Sequence, residues 1–247
     1  MAALLLMGSA ECSVTIPAGG RVTLNGGAMR LGCTDLTVGG NLQLGNGAAS
    51  GVRNLAIAAG TAPEGSIDAN SGSIQLGGNW NNGGNFNAGT SQVQVVDACG
   101  ASSSFNRTTT FHDLSLSSAL GKIITVPPDI TLFTLHALTI QGTLADPIQI
   151  TSGVPTNTGY MHLAAGGTQN IAHVGVSDNY ATGQPLAPLQ VNEGGSGNAL
   201  GWFGVPLDGI RPVPATDSWS LGLLALLMAG IGLVFRPDRL HLMERKF

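Results

Sequence analysis

The chain has few charged and few aromatic residues. Among its 247 residues, 10% are charged and 5% are aromatic, whereas 43% are hydrophobic. This composition is too apolar for a disordered protein and too poor in Lys and Glu for a typical helical one. Residues 11–217 carry six basic and twelve acidic side chains, a net charge of −6. Such a surface lacks the basic patch with which proteins bind nucleic acid or anionic lipid.

Cysteine is also scarce, with three residues in the chain. Cys12 and Cys33 could close a disulfide in an oxidising compartment and leave Cys99 unpaired, or all three could be buried thiols. No pair of cysteines or histidines has the spacing of zinc ligands, so we expect no metal and no cofactor. The sequence also lacks Gly-x-Ser-x-Gly, Gly-Lys-Ser/Thr and the glycine–aspartate nonapeptide of calcium-binding β-rolls.

Short triplets of the form apolar-x-apolar recur along the chain at a nearly constant spacing. Each triplet alternates as a strand with one buried face does. Further apolar residues follow six positions (Leu42, Trp80) or twelve positions (Ile67, Phe86, Phe105) after a triplet start. The triplets are Leu36-Thr-Val38, Leu55-Ala-Ile57, Ile74-Gln-Leu76, Val93-Gln-Val95 and Leu114-Ser-Leu116.

Three buried positions in about 19 residues, separated by glycine-rich corners, are typical of one turn of a three-sided coil. Glycine supplies the positive-φ conformations that sharp corners need, and the chain has 37 of them. We therefore predict an all-β fold, a parallel β-helix or three-sided β-solenoid of about 19–24 residues per coil. It should occupy residues 11–203 in about eight or nine coils. Residues that are neighbours in space should then differ by about 19 or 38 in number.

The same region resembles the repeats of large bacterial surface proteins of the haemagglutinin-like β-helix type. The resemblance is carried by the Gly- and Asn-rich segment 77–95, by 110–116, and by 167–171 with 174–178, which is similar to the closing coils of such domains. It implies a β-helical surface protein and names no ligand.

The acidic residues of the predicted coils are scattered along the chain. A β-helical polysaccharide lyase or hydrolase, the alternative function, gathers carboxylates on one exposed face of adjacent coils. Asp97 and Asp113, with His112, come closest to such a cluster, but we interpret Asp113 and His112 as the solvated end of a loop. We therefore expect no enzyme.

Other polar and aromatic residues have structural interpretations. His136, His162 and His173 are expected to face outward singly, and the pair Asp178-Asn179 is a weak calcium candidate. Four aromatic residues could form a carbohydrate-stacking stripe, but their repeat positions favour packing in the coil interior. They are Trp80, Phe86, Phe105 and Phe111.

The N-terminus predicts export. Residues 2–7 are apolar, and Gly8-Ser9-Ala10 has the small side chains of a signal-peptidase site, but no Lys or Arg precedes them. We interpret residues 1–10 as a truncated signal peptide whose true start lies upstream.

The C-terminus predicts a membrane segment. A Pro-rich linker at 204–218 is followed by an apolar stretch, 219–235, which as a helix would span about 25 Å, enough for a thinned bilayer. Arg236 and Arg239 open the basic tail 236–247, which the positive-inside rule places in the cytoplasm as a membrane stop.

This arrangement resembles the IPTL-CTERM sorting signals that exosortases handle in Gram-negative bacteria. Val213, Pro214 and Trp219 keep that spacing, whereas Thr216, Asp217 and Ser218 depart from the usual residues. The resemblance implies an exosortase-like processing enzyme, delivery to the cell envelope or cell surface, and a C-terminus that first lies in the inner membrane. A plain C-terminal membrane anchor without processing is the alternative.

These observations together predict an exported protein with a structural or adhesive role in the envelope or the extracellular matrix. Surface glycans or other envelope proteins are its expected partners, besides the membrane and the processing enzyme. A membrane-tethered sensor domain is a third hypothesis, and it requires an intact C-terminus.

Overall fold

The structure, a computed structural model, describes residues 13–60 and 64–207. These residues belong to one compact unit and are all β: they form strands and turns and contain no helix. No helix long and apolar enough to cross a membrane therefore occurs within these two ranges. The predicted signal peptide, sorting residues, membrane helix and basic tail lie outside the described residues, as does Cys12.

Most of the strands are short, three to five residues, because a corner follows each buried triplet. Four longer strands, β3, β5, β12 and β14, continue through a corner. The strands are β1 (Ser13–Ile16), β2 (Arg21–Thr23), β3 (Ala28–Val38), β4 (Asn41–Gln43), β5 (Ala48–Ile57), β6 (Ser66–Asp68), β7 (Ser73–Leu76), β8 (Trp80–Asn82), β9 (Asn85–Asn87), β10 (Gln92–Val95), β11 (Ser102–Ser104), β12 (Thr109–Ser117), β13 (Ile123–Thr125), β14 (Thr131–Gln141), β15 (Ile148–Thr151), β16 (Gly159–Leu163), β17 (Thr168–Ala172), β18 (Val174–Ser177) and β19 (Asn179–Gly183).

Every strand pairs in parallel with the strand one turn away along the chain. The hydrogen-bonded order β2-β4-β6-β9 forms one sheet, and β11-β13-β15-β18 forms another. The long corner-crossing strands join the remaining strands into an eleven-stranded sheet, in the order β1-β3-β5-β7-β10-β12-β14-β16-β19 with β8 and β17 attached. This topology confirms the predicted parallel β-solenoid, with about seven turns.

The core runs through the turns as a continuous column of apolar side chains. Alternate residues of each strand point inward, as in β7, where Ile74 and Leu76 are buried and the residues beside them are half-buried. Trp80, Phe105 and Phe111 are fully buried, and the ring centroids of Trp80 lie 4.9 Å from Phe86 and 5.2 Å from Phe111. Packing in the coil interior is thus confirmed for Trp80, Phe105 and Phe111, whereas Phe86 is partly buried against them.

The stacking of the triplets differs from the register that their constant spacing predicts. Leu36 does pair with Leu55, but the next partner of Leu55 is Trp80 and not Ile74, the start of the following triplet. Ile74 pairs with Ala49 on a different face of the coil. The prediction that neighbours in space differ by about 19 or 38 in number is therefore wrong at this turn, where Leu55 lies beside Trp80.

A six-residue insertion causes this slip. β3 and β4 are separated by two residues, and so are β8 and β9, whereas the equivalent connection between β5 and β6 has eight, 58–65. Six residues is also the distance from one buried position to the next within a turn, as from Leu36 to Leu42. The triplets that follow the insertion therefore lie on the next face of the coil. Their spacing along the chain nevertheless stays the same.

Glycine is required at the last residue of these connections, directly before β4 and directly before β6. A Cβ on Gly65 would collide with the carbonyl oxygen of Val38, one turn earlier, and a Cβ on Gly40 would collide with that of Gly20. The close approach of successive turns therefore excludes any larger residue at these positions.

The later turns are longer than the first ones, so the chain forms fewer turns than the eight or nine predicted. Leu114 pairs with Leu138, and Ile124 pairs with Ile150, and both separations along the chain exceed that of Leu36 and Leu55. The extra residues lie in corners such as the one between β15 and β16.

Candidate functional site

Side-chain oxygens take the place of backbone carbonyls at the corners of the coil. Asp35 Oδ1 accepts the backbone N–H of Asn54 at 3.1 Å, Asn54 Oδ1 accepts that of Asn79 at 2.9 Å, and Asn79 Oδ1 accepts that of Ser104 at 2.9 Å. These four residues occupy the same position in successive turns, and we call them the corner ladder. A corner interrupts the backbone ladder, so each such oxygen satisfies a donor that would otherwise lose its partner.

The acidic residues are used in the same way, to connect one turn with the next. Asp97 Oδ2 accepts the backbone N–H of Ala119 at 2.7 Å, and Asp113 Oδ1 accepts that of Ala137 at 3.0 Å. Asp68 accepts from the amide of Asn41, and Asp178 from that of Asn198. These carboxylates are spread along the described part of the coil, and each is bonded to a neighbouring turn.

Asp35 also forms a bidentate ion pair with Arg53. Its two oxygens accept from Arg53 Nε at 2.8 Å and Arg53 Nη2 at 2.7 Å, and the amide of Asn54 adds a bond of 2.9 Å. The bidentate bond from Arg53, followed by those from Asn54, holds the pKa of the Asp35 carboxyl below its usual value, although burial opposes this shift.

Lys122 is the one fully buried basic side chain among the described residues. It lies at the corner before β13, is 1% exposed, and donates from Nζ to the carbonyl oxygens of Gly77, at 2.7 Å, and Gly100. These two glycines occupy the equivalent corners of the two preceding turns. Burial lowers the pKa of the Lys122 amine, and the charge of Asp97 opposes that shift. Lys122 therefore connects three successive corners.

The disulfide differs from the predicted pairing. Cys33 is bonded to Cys99, with their Cα atoms 5.2 Å apart, so Cys33 is not available to Cys12. Both cysteines have positive φ and lie at corners, Cys33 within β3 and Cys99 after β10. No signal in the sequence points to this pairing, because 66 residues separate the two cysteines and only the stacking of the turns brings their corners together.

Two histidines and one aspartate lie close together at the corner through which the paired strands β12 and β14 both pass. Asp113 Oδ1 lies 2.8 Å from His136 Nδ1 and 3.1 Å from His112 Nδ1, and the two imidazole rings are stacked with centroids 4.9 Å apart. We call these three residues the histidine corner. Asp97, which the sequence placed with His112 and Asp113, is not part of this group, and His136, expected to stand alone, is.

A register shift between the two strands builds the histidine corner. Phe111 pairs with Thr134, but Asp113 pairs with Ala137, so the single residue His112 lies opposite two residues of β14, Leu135 and His136. The extra residue places the His136 ring over that of His112. The sequence signal for this contact is weak, because the separation of the two histidines matches the length of this later turn and not the spacing of the early triplets.

The remaining predicted residues are placed apart from one another. His162 Nδ1 lies 3.1 Å from Thr182 Oγ1, and His173 Nδ1 lies 3.1 Å from Glu193 Oε2, each in the neighbouring turn. Asp178 has positive φ and accepts from Asn198, which makes it a corner residue of the last turns. In the described part of the chain, the histidine corner is the one group of three or more His, Cys, Asp or Glu side chains placed to share an ion.

No protein-family model, no curated protein and no solved structure matches the chain. Its function must therefore be inferred from its own residues and their geometry.

Proposed function

We propose that the protein is an exported β-solenoid of the cell envelope or the extracellular matrix with a structural or adhesive role. In this proposal an exosortase-type sorting signal at Val213, Pro214 and Trp219 delivers it. The observation that carries the proposal is the Cys33–Cys99 disulfide. Structural disulfides form and persist in oxidising compartments outside the cytoplasm, so this bond supports export independently of the termini.

A structural role is supported by the way the polar side chains are used. The corner ladder, the Asp35–Arg53 pair and Lys122 all connect neighbouring turns. Because each turn is bonded to the next, stability accumulates along the stack, as a structural element requires. In this proposal such a stack serves as a scaffold outside the cytoplasm.

An adhesive role is supported by the outward residues of the strands. They are mostly Thr, Ser, Asn and Gln, as in β10, where Gln94 Nε2 donates to Gln92 Oε1 at 2.7 Å. Such side chains offer many weak hydrogen-bonding contacts to glycans or proteins. Display of many copies on one surface multiplies weak binding by avidity.

The dispersal of the carboxylates favours this role over a polysaccharide lyase or hydrolase. The histidine corner contains a single carboxylate, whereas acid–base cleavage of a glycosidic bond uses two. Incubation of the protein with uronic-acid polymers, with and without Ca²⁺, should release no products. Release of unsaturated or reducing sugars would establish the enzyme instead.

Intact-mass spectrometry of the protein from its native envelope tests the sorting step. We expect the mature chain to end near Pro214 and to begin at Glu11, with Cys33 and Cys99 oxidised. An unprocessed C-terminus with an oxidised disulfide would support the plain membrane anchor. Reduced cysteines in a cytoplasmic fraction would overturn export altogether.

Binding of protein-coated beads to glycan arrays and to whole cells tests adhesion separately from sorting. Multivalent beads should bind at least tenfold more tightly than the single chain, because avidity raises weak affinities by roughly 10²–10⁴. Beads coated with heat-unfolded protein are the control. Absence of binding to every surface would leave a scaffold as the role.

A further inference from the structure

We propose that His112, Asp113 and His136 form a binding site for a divalent transition-metal ion such as Zn²⁺. Two imidazoles and one carboxylate are a donor set that zinc accepts, with a water or another donor in the fourth position. Calcium and magnesium prefer oxygen donors alone, so the histidines select against them. This inference is independent of the proposed envelope role.

The distances between the donor atoms are close to those that an ion requires. Zinc bonds of about 2.0–2.2 Å place tetrahedral donors roughly 3.3 Å apart. Asp113 Oδ1 lies 2.8 Å from His136 Nδ1 and 3.1 Å from His112 Nδ1, and all three donors lie within 4.8 Å of one another. The three donor atoms are therefore spaced nearly as a bound zinc ion requires.

A second observation points to a ligand at this corner. Nδ1 of His112 is buried and makes no hydrogen bond to any described residue, because its contact with Asp113 lacks hydrogen-bond angles. An unsatisfied buried polar atom lowers stability, so such atoms are rare in native proteins. A metal ion would give this nitrogen the partner that the protein does not supply.

The corner also holds the carboxylate in place and leaves the His136 side of the group open to solvent. The backbone N–H of Ala137 donates to Asp113 Oδ1 at 3.0 Å, which fixes the carboxylate. The His136 side chain is 60% exposed, whereas those of His112 and Asp113 are 23% and 25% exposed. An ion can thus enter from the His136 side, and its remaining position faces solvent or a neighbouring molecule.

Calorimetric titration of the untagged full-length chain, kept in a mild detergent, with ZnCl₂ tests the site. We expect one Zn²⁺ per chain, no heat from CaCl₂ or MgCl₂, and a Co²⁺ adduct with the visible absorption bands of tetrahedral coordination. His136→Ala should weaken Zn²⁺ binding by at least about tenfold, the loss that removal of an outer-shell partner alone can cause. The matched control is His162→Ala, which removes a histidine one turn away and should leave binding unchanged.

Asp113→Asn separates the metal role from the structural one. The amide oxygen can still accept the Ala137 N–H, so the variant should keep its melting temperature in the absence of metal but lose Zn²⁺ affinity. Unchanged Zn²⁺ binding in both His136→Ala and Asp113→Asn, or no binding by the native chain, would overturn the proposal. Because the His136 side chain is exposed, we expect His136→Ala to leave the core and the fold intact.

Discussion

Asn79 Oδ1 accepts the backbone N–H of Ser104 at 2.9 Å, from one turn of the coil to the next. The same geometry links Asp35 to Asn54 and Asn54 to Asn79. A side chain thus continues the hydrogen-bond ladder where the backbone bends at a corner. Polar side chains are the usual candidates for catalysis or binding. In this protein most of those described form hydrogen bonds between neighbouring turns.

Removal of one hydrogen bond of the corner ladder should lower the stability of the coil. Asn79→Ala removes the side-chain acceptor of the Ser104 N–H, and because this bond is exposed we expect the free energy of unfolding to fall by about 0.5–1.5 kcal/mol. The urea midpoint of the purified chain measures this loss. Asn81→Ala, an exposed asparagine on the adjoining strand β8, is the control and should change the midpoint little. Equal midpoints for the two variants would contradict the role of the corner ladder.

The disulfide should contribute more than any single hydrogen bond. Closure of a loop across 66 residues predicts a stabilisation of about 4 kcal/mol from the entropy of the unfolded chain. Cys33→Ala, Cys99→Ala and the double variant should all lose this amount, because each removes the same bond. Urea unfolding with and without dithiothreitol measures it. Cys12→Ala should retain both the bond and its effect, and a Cys12–Cys33 peptide in a nonreducing digest would contradict the pairing.

The Asp35–Arg53 pair should make stability depend on pH in the acid range. The pKa of Asp35 is lower in the folded protein than its unfolded value of about 3.9, so its stabilisation is complete above that pH. It is lost as the pH falls through the folded pKa, because the carboxyl must then be protonated. Asp35→Asn should therefore cost roughly 1–3 kcal/mol at pH 7 and progressively less at acid pH.

Urea unfolding of the native chain and of Asp35→Asn from pH 7 down to pH 2 checks this expectation. Asp129→Asn, which removes one charge at an exposed corner, is the matched control. A gap between native and Asp35→Asn stability that stays constant over this range would show that the charge of Asp35 is not responsible.

The insertion before β6 should be dispensable. Deletion of residues 59–64 joins Ala58 to Gly65 and recreates the two-residue corner found between β3 and β4. Because Leu55 pairs with Trp80, the shortened chain should keep all its strand pairings, and its stability should change by less than about 1 kcal/mol. Circular dichroism and thermal unfolding measure the result. If Leu55 instead packed on Ile74, the deletion would leave too few residues for a turn and the chain would not fold.

Gly65→Ala in the full-length chain is the opposite case, since one methyl group would meet the carbonyl of Val38. We expect a lower melting temperature for this variant than for the deletion. The comparison tests two expectations. The length of the connection can change with little effect on stability, whereas the close contact at Gly65 cannot be altered without loss of stability.

The fold class could be predicted from the sequence because a solenoid depends on local and repeated features. Alternation inside each triplet, glycine at the corners and apolar residues at regular spacing each act within one turn. The burial of Trp80, Phe105 and Phe111 followed from the same pattern. The stacking of Leu55 did not, because a six-residue insertion equals the spacing of buried positions and so leaves the period apparently intact.

By itself, then, the amino-acid sequence determined that this chain coils, which residues point inward and where the corners lie, since strand alternation and backbone conformation are set by near neighbours. Only the tertiary structure decided which corners meet. The pairing of Cys33 with Cys99 and the approach of His136 to His112 both depend on the summed lengths of the turns between them. A residue added to or removed from the stacked part of those turns would shift the register and change the partner, so these contacts are a property of the whole stack.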